Sequence, residues 1–267
     1  MSATDGAEPS VSSSNGQVPV DALAAAGLAE VEAHTPILEL AAIRAAYGQI
    51  QVLHGVSLKV FRGETVVLLG ANGAGKTTTI SVMSGQMTPT AGDYLLAGRR
   101  VNGAAPDALA RIGVCTIPEG RGVFPNLTVT ENLLMASYGG TPAARIKDQA
   151  FELFPRLAER RNQAAGTMSG GEQQMLALAR GLVTNPAILI LDEISMGLAP
   201  IIVDELYSYV ARIARSGVSI VIVEQFAHRA LAIADRAYIM AHGSVTAEGD
   251  PADMEAVLQA SYLGSGH

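Results

Sequence analysis

The chain has 267 residues, of which 49% are hydrophobic, enough for one large or two small globular domains. Its net charge of −7 is concentrated near the start, where six acidic residues precede Arg44, the first arginine or lysine. The rest of the chain is close to neutral and has no basic cluster, which excludes nucleic acid as a partner. The single cysteine, Cys115, excludes an internal disulfide, and no window approaches the ~20 apolar residues of a membrane span.

The first 36 residues differ in composition from the rest of the chain. Residues 1–36 are rich in Ser, Ala, Gly, Asp and Glu and predict a disordered acidic tail. A weakly apolar run at 22–27 is too short for a secretory signal, and no basic residue precedes it. We therefore expect a cytoplasmic protein that associates with a membrane only through a partner.

The remaining sequence alternates between strand and helix patterns. The predicted strands cover residues 38–43, 56–60, 66–69, 93–97, 112–117, 188–191 and 219–223. The predicted helices cover residues 76–85, 130–135, 144–154, 170–182, 201–215 and a short final segment from Pro251, with Asp250 as its N-cap. His242–Gly243 separates two more extended segments and predicts a hairpin.

These elements predict an α/β fold built on a parallel sheet. We expect a core of residues 37–126 and 187–249, interrupted by an inserted α-helical subdomain over 127–186. A C-terminal helix over 250–264 completes the 37–267 domain. The extended segments near its start predict a small antiparallel β subdomain.

A phosphate-binding loop follows the strand at 66–69. The sequence fits G-x-x-x-x-G-K-[ST] and lies between an apolar strand and a helix start. The alternative, a glycine-rich turn with one exposed lysine, would not require this flanking strand and helix. Glycines let successive N–H groups point at a phosphate chain, and the helix N-terminus adds its positive dipole. Lys76 is expected to act catalytically at the β- and γ-phosphates, and Thr77 to bind Mg²⁺. The residues expected to bind nucleotide here are Gly70, Asn72, Gly73, Ala74, Gly75, Lys76, Thr77 and Thr78.

Two carboxylates end another buried strand. Asp192 and Glu193 follow the apolar run 188–191, and ligands collect at the carboxyl ends of parallel strands. Asp192 is expected to hold Mg²⁺, usually through water, and Glu193 to orient and deprotonate the attacking water. A surface Asp-Glu pair is common by itself, but it is much less common in a chain that also has a phosphate loop.

The run Met168–Gln174 lies between these two motifs. Its ordinary explanation is a Ser N-cap followed by a helix. The run Met-Ser-Gly-Gly-Glu-Gln-Gln is also similar to the L-S-G-G-Q signature of ABC-type ATPases. This resemblance covers about residues 37–264 and implies the P-loop NTPase (RecA-like) fold, ATP and Mg²⁺ as ligands, and ATP hydrolysis. It also implies that Ser169, Gly170 and Gly171 bind the γ-phosphate held by a second ATPase subunit.

Three further positions match functional positions of that family. Tyr47 resembles the aromatic residue that stacks on adenine, although a lone Tyr in a loop is more often plain packing. Glu119 stands where most members have a Gln that touches Mg²⁺ and the membrane subunit. Gln225 stands at the position of a catalytic His, and its amide can still donate to a phosphate oxygen and accept from water.

Where the sequence departs from the common ABC ATPase motifs, it resembles one subfamily. This subfamily is the LivF type, the shorter ATPase subunit of branched-chain amino acid importers. Four segments carry this resemblance: Pro118–Arg121, Gly197–Pro200, Val223–Gln225 and Ser261–Gly264. Two residues differ from the subfamily pattern. Ile194 replaces a Pro and Phe226 replaces an Asn, and since both adjoin catalytic positions they put the turnover rate in doubt.

The subfamily resemblance implies an ATPase subunit that energises uptake of branched-chain or related amino acids. Its implied partners are a second ATPase subunit, identical or different, two membrane permease subunits and, indirectly, an extracytoplasmic solute-binding protein. The chain would then lie peripherally at the cytoplasmic face of the membrane. Related systems carry urea or short amides, so the solute stays open. A soluble ABC ATPase acting on ribosomes or DNA is the alternative, but such proteins carry two cassettes or very long coiled-coil insertions.

Overall fold

The structure is a computed structural model that describes residues 34–120, 122–139, 141–225 and 227–264. The predicted disordered tail lies outside the described residues except for its last three, 34–36, and Phe226 also lies outside them. None of the helices in the described part of the chain is long and apolar enough to cross a membrane.

The strands form two sheets. Their bounds are β1 Leu38–Tyr47, β2 Ile50–Val60, β3 Thr65–Leu69, β4 Ala91–Leu96, β5 Arg99–Arg100, β6 Val114–Ile117, β7 Ile188–Asp192, β8 Ser219–Glu224, β9 Arg236–Ala241 and β10 Ser244–Gly249. The larger sheet has the order β10-β9-β3-β8-β7-β6, parallel throughout except for the antiparallel pair β9–β10. The smaller sheet, β2-β1-β4-β5, is antiparallel.

The helices lie between and after these strands. Their bounds are α1 Lys76–Met83, α2 Pro106–Arg111, α3 Val129–Leu134, α4 Ala143–Leu153, α5 Pro155–Glu159, α6 Gly170–Leu182, α7 Pro200–Arg215, α8 Ala227–Leu231 and α9 Pro251–Gly264. Short 3₁₀ helices cover Met135–Gly139 and Ala165–Thr167. Helices α3 to α6 occupy the segment in which a helical insertion was predicted. The sequence pattern missed α2, α5 and α8, whose five or six residues show little of a helical period, although the equally short α3 was predicted over 130–135.

The central strands are apolar on both faces because each face packs against a different layer. All five residues of β3 are buried. Val67 and Leu69 belong to the hydrophobic core that contains α4, α6 and α7. Val66 and Leu68 belong to the core beneath the antiparallel sheet. A parallel strand covered on both sides reads as a continuous apolar run, which is why β3, β7 and β8 were predictable from sequence.

The antiparallel sheet departs from the prediction. Strand β1 extends to Tyr47 and pairs with β2 from Ile50, where only 38–43 and 56–60 were predicted. Register shifts between Leu40 and Ala46 interrupt the alternation that marks a strand, and this explains the shorter prediction. Tyr47 is the last residue of β1, at the β1–β2 hairpin.

The predicted hairpin at His242–Gly243 is confirmed, and it supports the phosphate-binding loop. Both residues have positive φ, 48° and 74°, as a two-residue hairpin turn between right-twisted strands requires. The Gly243 N–H donates to the Ala74 carbonyl (2.9 Å), and the Gly243 carbonyl accepts from the His54 N–H (2.8 Å). The turn therefore joins β2 to the loop before α1 by backbone hydrogen bonds.

Gly243 has no room for a side chain. A Cβ there would lie 1.9 Å from the Val52 carbonyl oxygen, so Gly243→Ala must move either β2 or the hairpin turn. Because the φ of Gly243 is also positive, we expect Gly243→Ala to lower the free energy of unfolding by about 2–4 kcal/mol, measured by urea denaturation. Gly217→Ala is the matched control: its φ is +89° with nothing within 4 Å, so only about 1 kcal/mol of backbone strain applies. Equal losses in the two variants would contradict this account.

Candidate active site

The loop between β3 and α1 has the conformation expected of a phosphate cradle. Gly73 and Gly75 have φ of 79° and 104°, in the left-handed region that favours glycine. A Cβ on Gly70 would lie 2.5 Å from the Met240 carbonyl oxygen, so this glycine is required by the close approach of β9. The exposed Thr77 lies in the first turn of α1, where its hydroxyl is accessible. The loop and the helix N-terminus together suit an anion.

The side chain of Lys76 folds back over this loop. Only 5% of it is exposed, and its Nζ donates to the Gly70 carbonyl at 2.8 Å and the Ala71 carbonyl at 3.3 Å. Its Nζ also lies 3.1 Å from Oε1 of Glu193, whose side chain is 13% exposed. The ammonium therefore joins the phosphate loop to the proposed general base. It is placed where a β- or γ-phosphate would compete with the carboxylate for it.

Glu193 has an unusual backbone conformation. It follows the buried strand β7 and has φ +42°, which a non-glycine residue rarely adopts. Its N–H donates to the Val223 carbonyl at 2.9 Å. This bond to β8 fixes the turn directly after the last residue of β7 that pairs with β8, Asp192. The turn places the Glu193 carboxylate at the carboxyl edge of the parallel sheet beside Lys76.

Asp192 is the last residue of β7 and only 8% exposed. Burial, followed by the negative charges of Glu193 and Glu119, raises the pKa of Asp192 to about 6, against a weaker opposing effect of the Glu119 backbone hydrogen bond and Lys76. A carboxylate held among like charges binds a cation favourably because the cation relieves the repulsion. This electrostatic environment fits Mg²⁺.

One cavity of about 400 Å³ brings several of the sequence-predicted residues together. Its predicted lining residues are Asn72, Gly73, Gly75, Lys76, Thr77, Thr78, Glu119 and Glu193. Asp192 and Tyr47 do not line it: Asp192 lies beneath the surface at the end of β7, and Tyr47 is 54% exposed at the β1–β2 hairpin. Gln225 directly follows β8 and is half-buried. The described residues contain no group of three or more His, Cys, Asp or Glu that could hold a metal, so a Mg²⁺ here would need ligands from nucleotide phosphates and water.

The segment Ser169–Gly171 starts α6 and lies outside that cavity. Ser169 is the N-cap in a capping box: its Oγ accepts from the Glu172 N–H, and Glu172 Oε2 accepts from the Ser169 N–H at 2.9 Å. A Cβ on Gly171 would lie 2.2 Å from Cγ2 of Ile202, so Gly171 is required for the packing of α6 on α7. The ordinary N-cap explanation of this motif thus holds in the structure. It does not conflict with phosphate binding, since Ser169 remains exposed.

Two features near the site were missed from sequence. Glu224, the last residue of β8, is 1% exposed, and its Oε1 accepts from the Ser195 N–H (3.2 Å) and the Tyr207 hydroxyl (3.0 Å). Arg180 of α6 donates to the Gly122 carbonyl and lies 5.0 Å from the ring centroid of Phe124. A Glu at the end of an otherwise apolar strand was the available signal for the first. Nothing in the sequence pairs Arg180 with residues so far away along the chain.

The raised pKa of Asp192 predicts a stability effect with a definite sign. The neutral carboxyl stabilises the fold fully below the ordinary pKa of 3.8, and this contribution is lost as the pH rises through about 6. Asp192→Asn keeps an oxygen acceptor without the charge. In the absence of nucleotide and Mg²⁺ at pH 7.5, we expect its Tm to rise by roughly 2–4 °C. The difference from the wild type should shrink as the pH falls from about 6 toward 3.8.

Asp148→Asn, at an exposed position of α4, is the matched control for this measurement. It should leave Tm unchanged relative to the wild type, both at pH 7.5 and as the pH falls toward 3.8. A lower Tm for Asp192→Asn at pH 7.5 would contradict an unfavourable buried charge at this position.

Comparison with known proteins agrees with this geometry. The sequence model of the ABC transporter family matches residues 53–195. The chain is 45% identical over 201 residues to the high-affinity branched-chain amino acid transport ATP-binding protein BraG of Pseudomonas aeruginosa, covering 74% of this chain and 86% of BraG. It is 34% identical over 223 residues to the Nod factor export ATP-binding protein I of Ralstonia nicotianae, covering 82% of this chain and 69% of that protein.

A solved structure shows the same fold. The crystal structure of the ADP conformation of MJ1267, an ATP-binding cassette of an ABC transporter, superposes with a TM-score of 0.76 at 26% identity. The match covers 84% of this chain and 95% of that cassette. The predicted P-loop NTPase fold is therefore confirmed, and the chain belongs to the ABC transporter family of ATP-binding proteins.

Proposed function

We propose that this chain hydrolyses ATP in the 400 Å³ cavity, with Glu193 as the general base. The observation that carries the proposal is the contact of the buried Lys76 ammonium with Glu193 across the phosphate loop, 3.1 Å from Nζ to Oε1. A γ-phosphate that binds Lys76 releases the Glu193 carboxylate to accept a proton from water. The loop amides and Lys76 then stabilise the charge that develops on the phosphate oxygens.

The remaining site residues have supporting roles in this proposal. Thr77 and Asp192 would hold Mg²⁺ together with the nucleotide phosphates, and Glu119 would contribute from the end of β6. Tyr47, exposed at the hairpin, is available to stack on adenine. Gln225 follows β8 at the same edge of the sheet and would bind the γ-phosphate and the attacking water.

We propose further that two ATPase subunits complete each site. Ser169, Gly170 and Gly171 begin a helix but do not line the cavity of their own chain. They would therefore serve a nucleotide held by another subunit. Met196 lines the cavity as an exposed large apolar side chain, 54% accessible, which is consistent with a surface that another subunit covers.

The test of hydrolysis is Glu193→Gln. The amide keeps the shape of the side chain but cannot accept the proton, so turnover should fall roughly 10²-fold or more. Lys76 loses its competing carboxylate, so ATP should bind at least as tightly as in the wild type. ATPase assays and a fluorescent ATP analogue measure the two effects. Glu255→Gln, at a partly exposed position of α9, is the control, and near-normal turnover in Glu193→Gln would refute the proposal.

The substrate class proposed for the assembled transporter is branched-chain amino acids, with this chain as the ATPase subunit of an importer. The identity with BraG, 45%, exceeds the 34% with the Nod factor export protein, and this difference favours the importer assignment. Importers of urea or short amides remain the alternative. Solute uptake by a strain deleted for this gene, measured with labelled leucine, urea and a short amide, would separate them.

A groove of about 450 Å³ between the parallel sheet and the helical segment is the surface proposed to dock the permease. It is lined by the whole of β6, by α2 and α6, by the loop before α3 and by the start of the 3₁₀ helix after α3. Phe124 and Met135 are exposed apolar residues on this groove, 44% and 49% accessible. This surface would hold the chain at the cytoplasmic side of the membrane through two permease subunits.

Met135→Asp tests this surface. A charge in the groove should abolish co-purification with the permeases while leaving the ATPase activity of the isolated protein within about twofold of wild type, since desolvating the carboxylate opposes docking only. Val257→Asp is the matched control, because this residue is also exposed, 40%, but lies on α9. Retained co-purification in Met135→Asp would place the docking surface elsewhere.

A further inference from the structure

Glu224 contacts the loop that carries the proposed general base and a distant helix at the same time. We infer that Glu224 is a positioning residue, which holds Glu193 in its productive turn by binding Ser195 on one side and Tyr207 on the other. This inference rests on the proposed role of Glu193 in ATP hydrolysis. We call Ser195, Tyr207 and Glu224 the Glu224 brace.

The turn at Glu193 needs such support because its backbone is strained. A non-glycine residue at φ +42° is held in a sparsely populated conformation, which persists only where the surroundings determine it. Within the turn, the Glu193 N–H is fixed by the Val223 carbonyl, and the Ile194 side chain is buried, 2% exposed. Two residues after Glu193, the Ser195 N–H donates to the carboxylate of Glu224, which anchors the end of the turn.

The contacts of Glu224 come from two elements. Its Oε1 accepts from the Ser195 N–H at 3.2 Å and from the Tyr207 hydroxyl at 3.0 Å. Tyr207 is 5% exposed and lies on α7, two turns after the helix begins at Pro200. The same carboxylate therefore fixes the end of the Glu193 turn to β8 and to α7.

The chemistry of the brace is that of a buried acceptor. Burial raises the pKa of Glu224, and the hydrogen bonds from Ser195 and Tyr207 partly offset this effect. A buried acceptor is tolerated only when donors satisfy it, and removing the acceptor leaves those donors without a partner. The Tyr207 hydroxyl and the Ser195 N–H would lose their shared acceptor in Glu224→Ala. Glutamine would keep an oxygen in the same place.

The brace acts on catalysis through geometry. A general base must lie within hydrogen-bond reach of the attacking water, and a displacement of about 1 Å lowers the rate strongly. The nucleotide, in contrast, would be held by the loop between β3 and α1, which makes none of the contacts of Glu224 given above. Loss of the brace should therefore reduce kcat and leave nucleotide affinity nearly unchanged.

The experiment compares ATPase kinetics of Glu224→Ala, Glu224→Gln and Tyr207→Phe, with Tm as the check on folding. We expect Glu224→Ala to lose about tenfold or more in kcat with KM for ATP changed less than about twofold. Glu224→Gln should restore most of kcat, because its amide oxygen accepts from both donors. Tyr207→Phe, which removes one donor, should lose about two- to fivefold.

Tyr94→Phe is the matched control for Tyr207→Phe. Tyr94 is also buried, 2% exposed, and its hydroxyl donates one hydrogen bond of 2.9 Å, to the Met83 carbonyl at the far end of α1. It should lower Tm without lowering kcat. If Glu224→Ala does not fold, Tyr207→Phe against Tyr94→Phe decides the inference: equal kcat in the two would overturn it.

Combining the brace with the base separates this inference from the proposed function. In a Glu193→Gln background, Glu224→Ala should reduce the residual turnover by less than about twofold, since a brace that acts through Glu193 has nothing left to position. An additive, tenfold further loss would overturn the inference. Near-normal activity in Glu193→Gln alone would refute the proposed function instead, while an inactive Glu193→Gln with normal kcat in Glu224→Ala would refute only the brace.

Discussion

The arrangement of the site depends on one buried ammonium facing several carboxylates. Lys76 contacts Glu193, and burial together with the negative charges of Glu193 and Glu119 raises the pKa of Asp192. Like charges are unfavourable in a partly buried place unless a cation compensates them. Lys76 supplies one positive charge in the described structure, and Mg²⁺ would supply two more. In the proposed function, this electrostatic imbalance would favour a nucleotide phosphate that arrives with a divalent cation.

The fold creates this imbalance by bringing strand ends together. The strands β3, β6, β7 and β8 run parallel, so the segments after them emerge at one edge of the sheet. The carboxylates follow β6 and β7, the phosphate loop follows β3, and Gln225 follows β8. Burying the charged groups of these segments would be unfavourable for each of them alone. The two apolar cores on the faces of the sheet supply the stability that holds them in place.

The site is also tied to the rest of the molecule at specific points. The His242–Gly243 turn contacts the phosphate loop, Glu224 connects β8 to α7, and Arg180 connects α6 to the loop after β6. Each tie joins segments that are at least 17 residues apart along the chain.

The sequence by itself determined the features that are local in the chain. The phosphate loop is a continuous run with its strand and helix, so its identity and the roles of Lys76 and Thr77 could be predicted from spacing alone. The central strands were predictable because burial on both faces gives them continuous apolar runs. The helix over Gly170–Leu182 was predicted with its bounds, since its Ser169 cap and its apolar period are both written in the sequence.

Only the tertiary structure decided the contacts between distant segments. Tyr207 and Glu224 are 17 residues apart, and Arg180 and Gly122 are 58 apart, so no spacing rule relates them. The positive φ of Glu193 is likewise invisible in a sequence that has no glycine at that position. Backbone strain and buried hydrogen bonds arise from how sheet and helices pack together. A linear pattern records the propensity of each segment, but it does not record which neighbour each segment meets.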